Sequence, residues 1–157
     1  MSRIKQYQRK LPRYREITSQ KQRWASGKGF GIHLVSTTDV YIGGAGIVTK
    51  RPPIPHVSDK TRMCVYGVDI EPGYRGEGYG YVIFEEAKRY AANSGCTCLA
   101  GYTPNPRQVV IRKTTSPDTE FYTGTRDTLI SADEAYELTS IGKKILALTP
   151  LKKGGCK

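Results

Sequence analysis

The stretch VYGVDIEPGYRGEGYG, residues 65–80, places Gly76, Gly78 and Gly80 between an apolar, partly β-branched run and a helical pattern. Glycines at that density cost backbone entropy, so another interaction has to offset them. A glycine-rich turn between a strand and a helix presents several backbone N–H groups at a helix N-terminus. There they join the positive end of the helix dipole to bind phosphate. Gly78 and Gly80 let a ligand approach without a Cβ in the way, and Arg75 adds a charge-assisted contact. The stretch therefore reads as a diphosphate cradle. It is not a P-loop, which needs Gly-Lys-Ser/Thr where Tyr79-Gly80-Tyr81 stands. It is not a dinucleotide fingerprint either: the glycines are spaced GxGxG, and no acidic residue about 20 positions on closes a second strand.

Outward from the turn, Met63–Ile70 reads as a strand stopped by Pro72. On the other side, Ile83, Phe84, Ala87, Tyr90 and Ala91 recur at helical spacing and predict a helix over Gly80–Asn93 ended by Gly95, with Glu85 and Arg89 as an i,i+4 pair. Cys96–Tyr102 reads as a strand, and Asn105-Pro106 as a cap and first-turn proline for a short helix to about Lys113. Upstream, Phe30–Ser36 and Val40–Thr49 read as strands joined by a turn at Thr37-Thr38-Asp39. Gly43, Gly44 and Gly46 in the second of them mark a bulge or a close backbone approach. Pro52, Pro53 and Pro55 force a loop. Downstream, Glu120–Asp127 reads as a strand, and the capping box Ser131-Ala-Asp-Glu134 opens a last helix to about Lys144. The expected fold class is mixed α/β (α+β).

Arg75-x-x-Gly78-x-Gly80 resembles the pyrophosphate motif, Arg/Gln-x-x-Gly-x-Gly/Ala, of the Gcn5-related N-acetyltransferase (GNAT) family. The flanks match as well: Val68-Asp69-Ile70-Glu71-Pro72-Gly73-Tyr74 ahead of the arginine, then the amphipathic helix, Gly95, the next strand and Asn105. The resemblance covers Val65 to Asn105 and is diffuse over residues 30–64. It implies a mostly antiparallel mixed sheet flanked by helices, with two central strands splayed into a V that takes acetyl-CoA. The pantetheine arm would pair with backbone near Val68 and Ile70. The pyrophosphate would lie on Arg75, Gly76, Glu77, Gly78, Tyr79 and Gly80, and Asn105 would help position the cofactor arm. A base on the strand before the motif would be Asp69 or Tyr66, with Glu71 close by. The departure lies downstream: Arg112 stands where many members carry the tyrosine that protonates the leaving thiolate, and no Gly-Phe follows. Tyr122 is the substitute at hand.

The 157 residues carry a formal charge of +11 and 38% hydrophobic residues, the profile of one soluble domain without an apolar stretch near the ~20 residues that span a bilayer. The charge is uneven: residues 1–62 hold 13 Lys/Arg against 3 Asp/Glu, whereas residues 63–157 hold 12 against 11. Residues 1–28 read as a basic arm, with one helix after Pro12, and 29–157 as a single acetyltransferase-like domain. The arm, interleaved with Tyr7, Tyr14 and Trp24, suits nucleic acid through residues 3–28, or serves as a solubilising surface. With four cysteines, no CxxC pair and two histidines, a zinc site is not expected, and the cysteines read as free cytoplasmic thiols. The functional reading is an acetyl-CoA-dependent N-acetyltransferase acting on an amine of a protein, a small molecule or an aminoacyl or nucleic-acid carrier. The alternatives are a nucleic-acid-modifying acyltransferase of the same fold and a non-catalytic binding module on a degenerate core.

Overall fold

The computed structural model describes residues 18–24, 27–36, 39–50, 63–123 and 128–151; of 18–30, 49–50 and 63–66 it describes the backbone. The chain runs β1 (Thr18–Trp24), β2 (Gly27–Val35), β3 (Tyr41–Lys50), β4 (Met63–Ile70), a 3-10 turn (Pro72–Tyr74), α1 (Tyr79–Asn93), β5 (Cys98–Thr103), α2 (Pro106–Thr115), β6 (Glu120–Tyr122), β7 (Leu129–Ile130), α3 (Ala132–Ser140) and β8 (Ile145–Pro150). The strands form a sheet in the order β1-β2-β3-β4-β5-β8-β6-β7. Neighbours are antiparallel except for β4 and β5. The fold is the expected mixed α/β sheet flanked by helices.

The parallel pairing of β4 and β5 decides the architecture. It holds over Met63↔Cys98, Cys64↔Leu99 and Val65↔Ala100 and then stops, although both strands continue to Ile70 and Thr103. The two strands therefore splay into the V that the sequence resemblance implied. They are the fourth and fifth strands here because β1 precedes the two hairpin strands legible in the sequence.

Helix α1 forms where the apolar stripe predicted it. Phe84, Ala87 and Ala91 are fully buried, and the helix packs on the sheet face that carries Ile32, Ala45, Val68 and Leu99. Burying a large apolar side chain there is worth about 1.5–3 kcal/mol. The same face, further along, carries Phe121, Ile145 and Ala147 against Val109 of α2 and Ala135 of α3. All three helices among the described residues thus lie on one side of the sheet. On the other side Cys98, Ala100, Tyr122, Leu146 and Leu148 form a separate buried cluster.

Several expectations are corrected by the tertiary structure. Thr18–Trp24 is an edge strand paired with β2, so the sheet begins inside the segment read as a basic arm. The helix expected after Pro12, the proline loop at 52–55 and the turn at 37–38 lie outside the described residues. Arg89 pairs with Glu86 and Lys88 with Glu85 at 2.9 Å, both i,i+3, in place of the Glu85–Arg89 pair. Lys88 also donates to the Thr115 carbonyl and Ser116 Oγ, 3.2 Å each, which swings it toward the end of α2 and holds Glu85 with it. Helix α3 stops at Ser140 because Gly142 takes φ +83, a left-handed exit that helices commonly use. Cys96 and Cys98 are disulfide-bonded rather than free, so they no longer argue for a reducing compartment. No helix among the described residues is long and apolar enough to cross a membrane.

Candidate active site

The V opens into a cleft of about 710 Å³ between the ends of β4 and β5, bounded by the glycine turn and by α2. Its β4 wall runs from Gly67 to Ile70, and its far wall includes Tyr102 and Asn105. The Glu71 N–H donates to the Ile42 carbonyl across β3 at 2.9 Å. Strand alternation then turns the N–H and C=O groups of Val68 and Ile70 the other way, toward the cleft, where β5 has already diverged. The Ile70 carbonyl accepts from Arg75 Nε at 2.7 Å.

The turn from β4 to α1 is built for close approach. Gly76 and Gly78 have φ +80 and +99, and Gly78 is the N-cap of α1 in the left-handed region, so a side chain at either position is strained. Among the described residues no hydrogen bond takes up the N–H of Gly76, Gly78 or Gly80. A Cβ on Gly76 would stand 3.3 Å from Arg107 Nη1, so this guanidinium overhangs the turn from the first residues of α2. Asn105 caps α2, its Oδ1 accepting from the Arg107 N–H at 3.0 Å, and thereby sets the direction in which Arg107 leaves the helix. Gly80 has a different duty: a Cβ there would lie 2.8 Å from Ile111 Cδ1, so Gly80 lets α1 and α2 pack closely.

The remaining residues singled out from sequence fall at different distances from the cleft. Asp69 lines it; its carboxylate is 76% exposed and lies 3.7 Å from Arg75 Nη2. Tyr66 stands opposite Ile47 in the β3–β4 register, and its side chain lies outside the described residues. Glu71 is exposed just past β4, and Glu77 is exposed on the turn. Tyr79 is 1% exposed with its ring edge-on to Tyr74 at 5.9 Å, so only its backbone is available to the turn. Arg112 lines the cleft and is 1% exposed; Nη1 donates to the Ala147 carbonyl at 3.4 Å, and the guanidinium lies 5.3 Å from the Phe84 ring centre. Tyr122 sits two strands beyond β5 in the buried cluster on the helix-free face, its hydroxyl donating to Glu120 at 2.9 Å. Burial first, then the Glu120 hydrogen bond and charge, push its phenol up to about 12. This places it away from the V and commits its proton to Glu120.

Sequence reasoning missed Arg107, Tyr102 and Tyr136 as cleft residues, along with His33 and Tyr41 on a second, adjoining depression. The one local signal was the Arg107 position just after Asn105-Pro106; the others are brought in by strand pairing and helix packing between distant segments.

Among the described residues the cleft combines the backbone of Val68 facing a V, N–H groups at a glycine turn that enter no hydrogen bond, and a cation over that turn. No curated protein sequence matches the chain. The solved structures that resemble it share its fold at low identity. A candidate phosphinothricin N-acetyltransferase is 14% identical with a TM-score of 0.55, covering 80% of this chain and 73% of its own. A phosphinothricin acetyltransferase from Sinorhizobium meliloti in complex with acetyl-CoA is 13% identical with a TM-score of 0.55, covering 80% and 63%. A spermidine N-acetyltransferase chimera from Vibrio cholerae and hSSAT is 12% identical with a TM-score of 0.50, covering 78% and 66%. The chain thus spans roughly two thirds of the length of such proteins. A profile of the acetyltransferase (GNAT) family matches residues 2–111. On that match and on the splayed strands that lead into a glycine turn, the chain belongs to the acetyltransferase (GNAT) family, whose acyl donor is acetyl-CoA.

Proposed function

We propose that this chain moves the acetyl group of acetyl-CoA onto a primary amine, with the cleft between β4 and β5 as the donor site. The observation that carries the reading is the end of β4–β5 pairing at Val65↔Ala100, directly upstream of a turn whose glycine N–H groups are unbonded. The backbone of Val68 and the N–H of Ile70 offer partners to the pantetheine amides. The N–H groups of the Gly76–Gly80 turn, the N-terminus of α1 and the Arg107 guanidinium offer charge and donors to the diphosphate. Arg75 ties the turn to the end of β4 through Ile70 and Asp69. Bound acetyl-CoA supplies an activated acyl group as a thioester. Arg112 holds a fixed positive charge at the cleft wall; a guanidinium does not release a proton, so it stabilises anionic charge rather than acting as an acid.

The test is calorimetric titration of the full-length protein with acetyl-CoA, followed by thiol release over a panel of amines. Measurable binding and amine-dependent thiol release are expected. Absence of acetyl-CoA binding to the folded protein would end this reading, and binding without any amine-dependent release would leave the non-catalytic module. If Asp69 is the base, Asp69→Asn lowers turnover ~10²–10⁴-fold at unchanged acetyl-CoA affinity. A second reading concerns the acceptor's carrier: the charge excess in residues 1–62, densest over 3–28, favours an acceptor that sits on a polyanion such as nucleic acid.

A further inference from the structure

The sheet face away from the helices carries a lane with almost no side chains. Register places Gly31, Gly46 and Gly67 side by side across β2, β3 and β4. Two residues further along, on the same face, His33, Gly44 and Asp69 form the next row. A trough of about 350 Å³ follows these rows and shares Gly67, Val68 and Asp69 with the cleft, so the two depressions adjoin at β4.

Three polar side chains converge where the lane reaches Gly44. A Cβ on Gly44 would lie 2.9 Å from Tyr41 Oη and 3.6 Å from His33 Nδ1, and 2.5 Å from the Ile32 carbonyl, so the position tolerates only glycine. The His33 and Tyr41 rings are 5.9 Å apart and tilted, and Asp69 is the other neighbour of Gly44 in the row. Among the described residues lining the trough, Asp69 is the charged one; Arg75, 3.7 Å from its carboxylate, lines the cleft and not the trough. Burial, then the charges of Asp69 and Glu71, raise the Tyr41 phenol, which places negative charge around its hydroxyl. A side-chain-free lane that ends between a carboxylate, a phenol and an imidazole suits a slender cation.

We propose that this trough is the acceptor site, that it takes an unbranched alkyl primary ammonium, as in a lysine side chain or a polyamine, and that His33 removes the proton. The assignment rests on the acetyltransferase reading. The ammonium lies along the glycine lane with its nitrogen short of Gly44, beside the Tyr41 hydroxyl that covers that glycine, donating to Asp69 and Tyr41. Neutral His33 accepts one proton and leaves a free amine. The amine lone pair forms the new C–N bond to the acetyl carbon, the C–S bond breaks, and its electron pair leaves with sulfur. The remaining extra N–H proton passes to that thiolate, and His33 returns its proton to solvent. The net change is ammonium plus thioester to amide, thiol and one proton. On this assignment Asp69, paired with Arg75, is the anchor for the cation and not the base, so Asp69→Asn should raise the KM of the amine more than it lowers kcat. The titratable groups facing His33 are Tyr41 from β3 and Asp69 from β4, with Glu71 and Arg75 behind them; the β1 residue opposite it is Thr18.

The test uses steady-state acetylation of spermidine, of a peptide with one free lysine amine, and of phosphinothricin, an amine that also carries acidic groups. The first two are expected to be accepted, with phosphinothricin at least ~100-fold poorer in kcat/KM; the ratio between the first two distinguishes polyamine from protein acceptors. His33→Ala should lower kcat/KM for the preferred amine ~10²–10⁴-fold, the usual range for a lost general base. Added imidazole should restore part of it, and acetyl-CoA affinity by calorimetry should equal that of the wild type. His33→Gln, with similar reach, should abolish the acidic limb of the kcat/KM profile, and Tyr41→Phe should raise the KM of the amine. Wild-type kcat/KM in His33→Gln, or a preference for phosphinothricin over both cationic amines, would overturn the assignment. Failure of the wild-type protein to bind acetyl-CoA would instead overturn the donor-site reading beneath it.

Discussion

Arg75 belongs to the sequence motif, yet its Nε is committed to the Ile70 carbonyl and its Nη2 faces Asp69, whereas Arg107, outside the motif, overhangs Gly76. We propose that Arg107, which forms no ion pair among the described residues, is the better phosphate ligand of the two. A charge-assisted bond is worth about 1.5–3 kcal/mol, so Arg107→Ala is expected to weaken acetyl-CoA binding ~10–100-fold, and more than Arg75→Ala does, in parallel calorimetric titrations. Equal losses would mean that Arg75 leaves Ile70 when the diphosphate binds. Tyr122 supplies a pH test away from the site. Its folded pKa of about 12 lies above the ordinary 10.0, so the neutral phenol is favoured by folding. That stabilisation is complete below pH 10 and is lost as pH rises toward 12. Tyr122→Phe should therefore flatten the fall of Tm over that window; an unchanged slope would show that another group governs alkaline unfolding.

The contact between α1 and α2 is set by one glycine. A methyl at Gly80 meets Ile111 Cδ1 at 2.8 Å, and that atom is the end of a side chain able to shift. Gly80→Ala is expected to cost stability of the order of 1–3 kcal/mol for overpacking, and Ile111→Val in the same chain should recover much of it. Denaturant titration of the single and double variants reads the coupling; additive losses would place the strain elsewhere. The Asn105 cap is the other local device. Asn105→Ala should cost about 0.5–2 kcal/mol through loss of the bond to the Arg107 N–H, and it should also weaken acetyl-CoA binding because the cap aims Arg107. Loss of stability with unchanged affinity would separate the two roles.

At the scale of the whole molecule, the basic charge of residues 1–62 and the trough that ends at Asp69 pull in different directions. If residues 3–28 grip phosphates, nucleic-acid affinity should fall with salt at a log–log slope near −0.7 to −0.9 per phosphate contacted. Truncation should stop at Ile17, because Thr18–Trp24 is paired into the sheet. Removing 1–17 should flatten the slope and leave acetyl-CoA binding unchanged. The same slope before and after would reduce the segment to a solvated surface.

What the sequence determined by itself is the local structure of the segment proposed as the donor side. The glycine turn, α1 with its helical apolar stripe, the Asn105 cap and the strand ending at Pro72 are all encoded within about 40 consecutive residues, where period and turn chemistry act locally. Other features were not legible. β1 is the polar run TSQKQRW, which becomes a strand only by pairing with β2, and β8 is the apolar run ILALTP, whose lack of alternation leaves strand and helix undecided. Register alone aligns Gly31 with Gly46 and Gly67, and sets His33 beside Gly44 and Asp69, although these residues lie as far as 36 positions apart. Packing of α2 alone brings Arg107 over Gly76 and carries Arg112 into the interior. Local propensity is written in neighbouring residues, whereas a site is made by long-range pairing, and only the tertiary structure specifies which strands lie side by side and where they part.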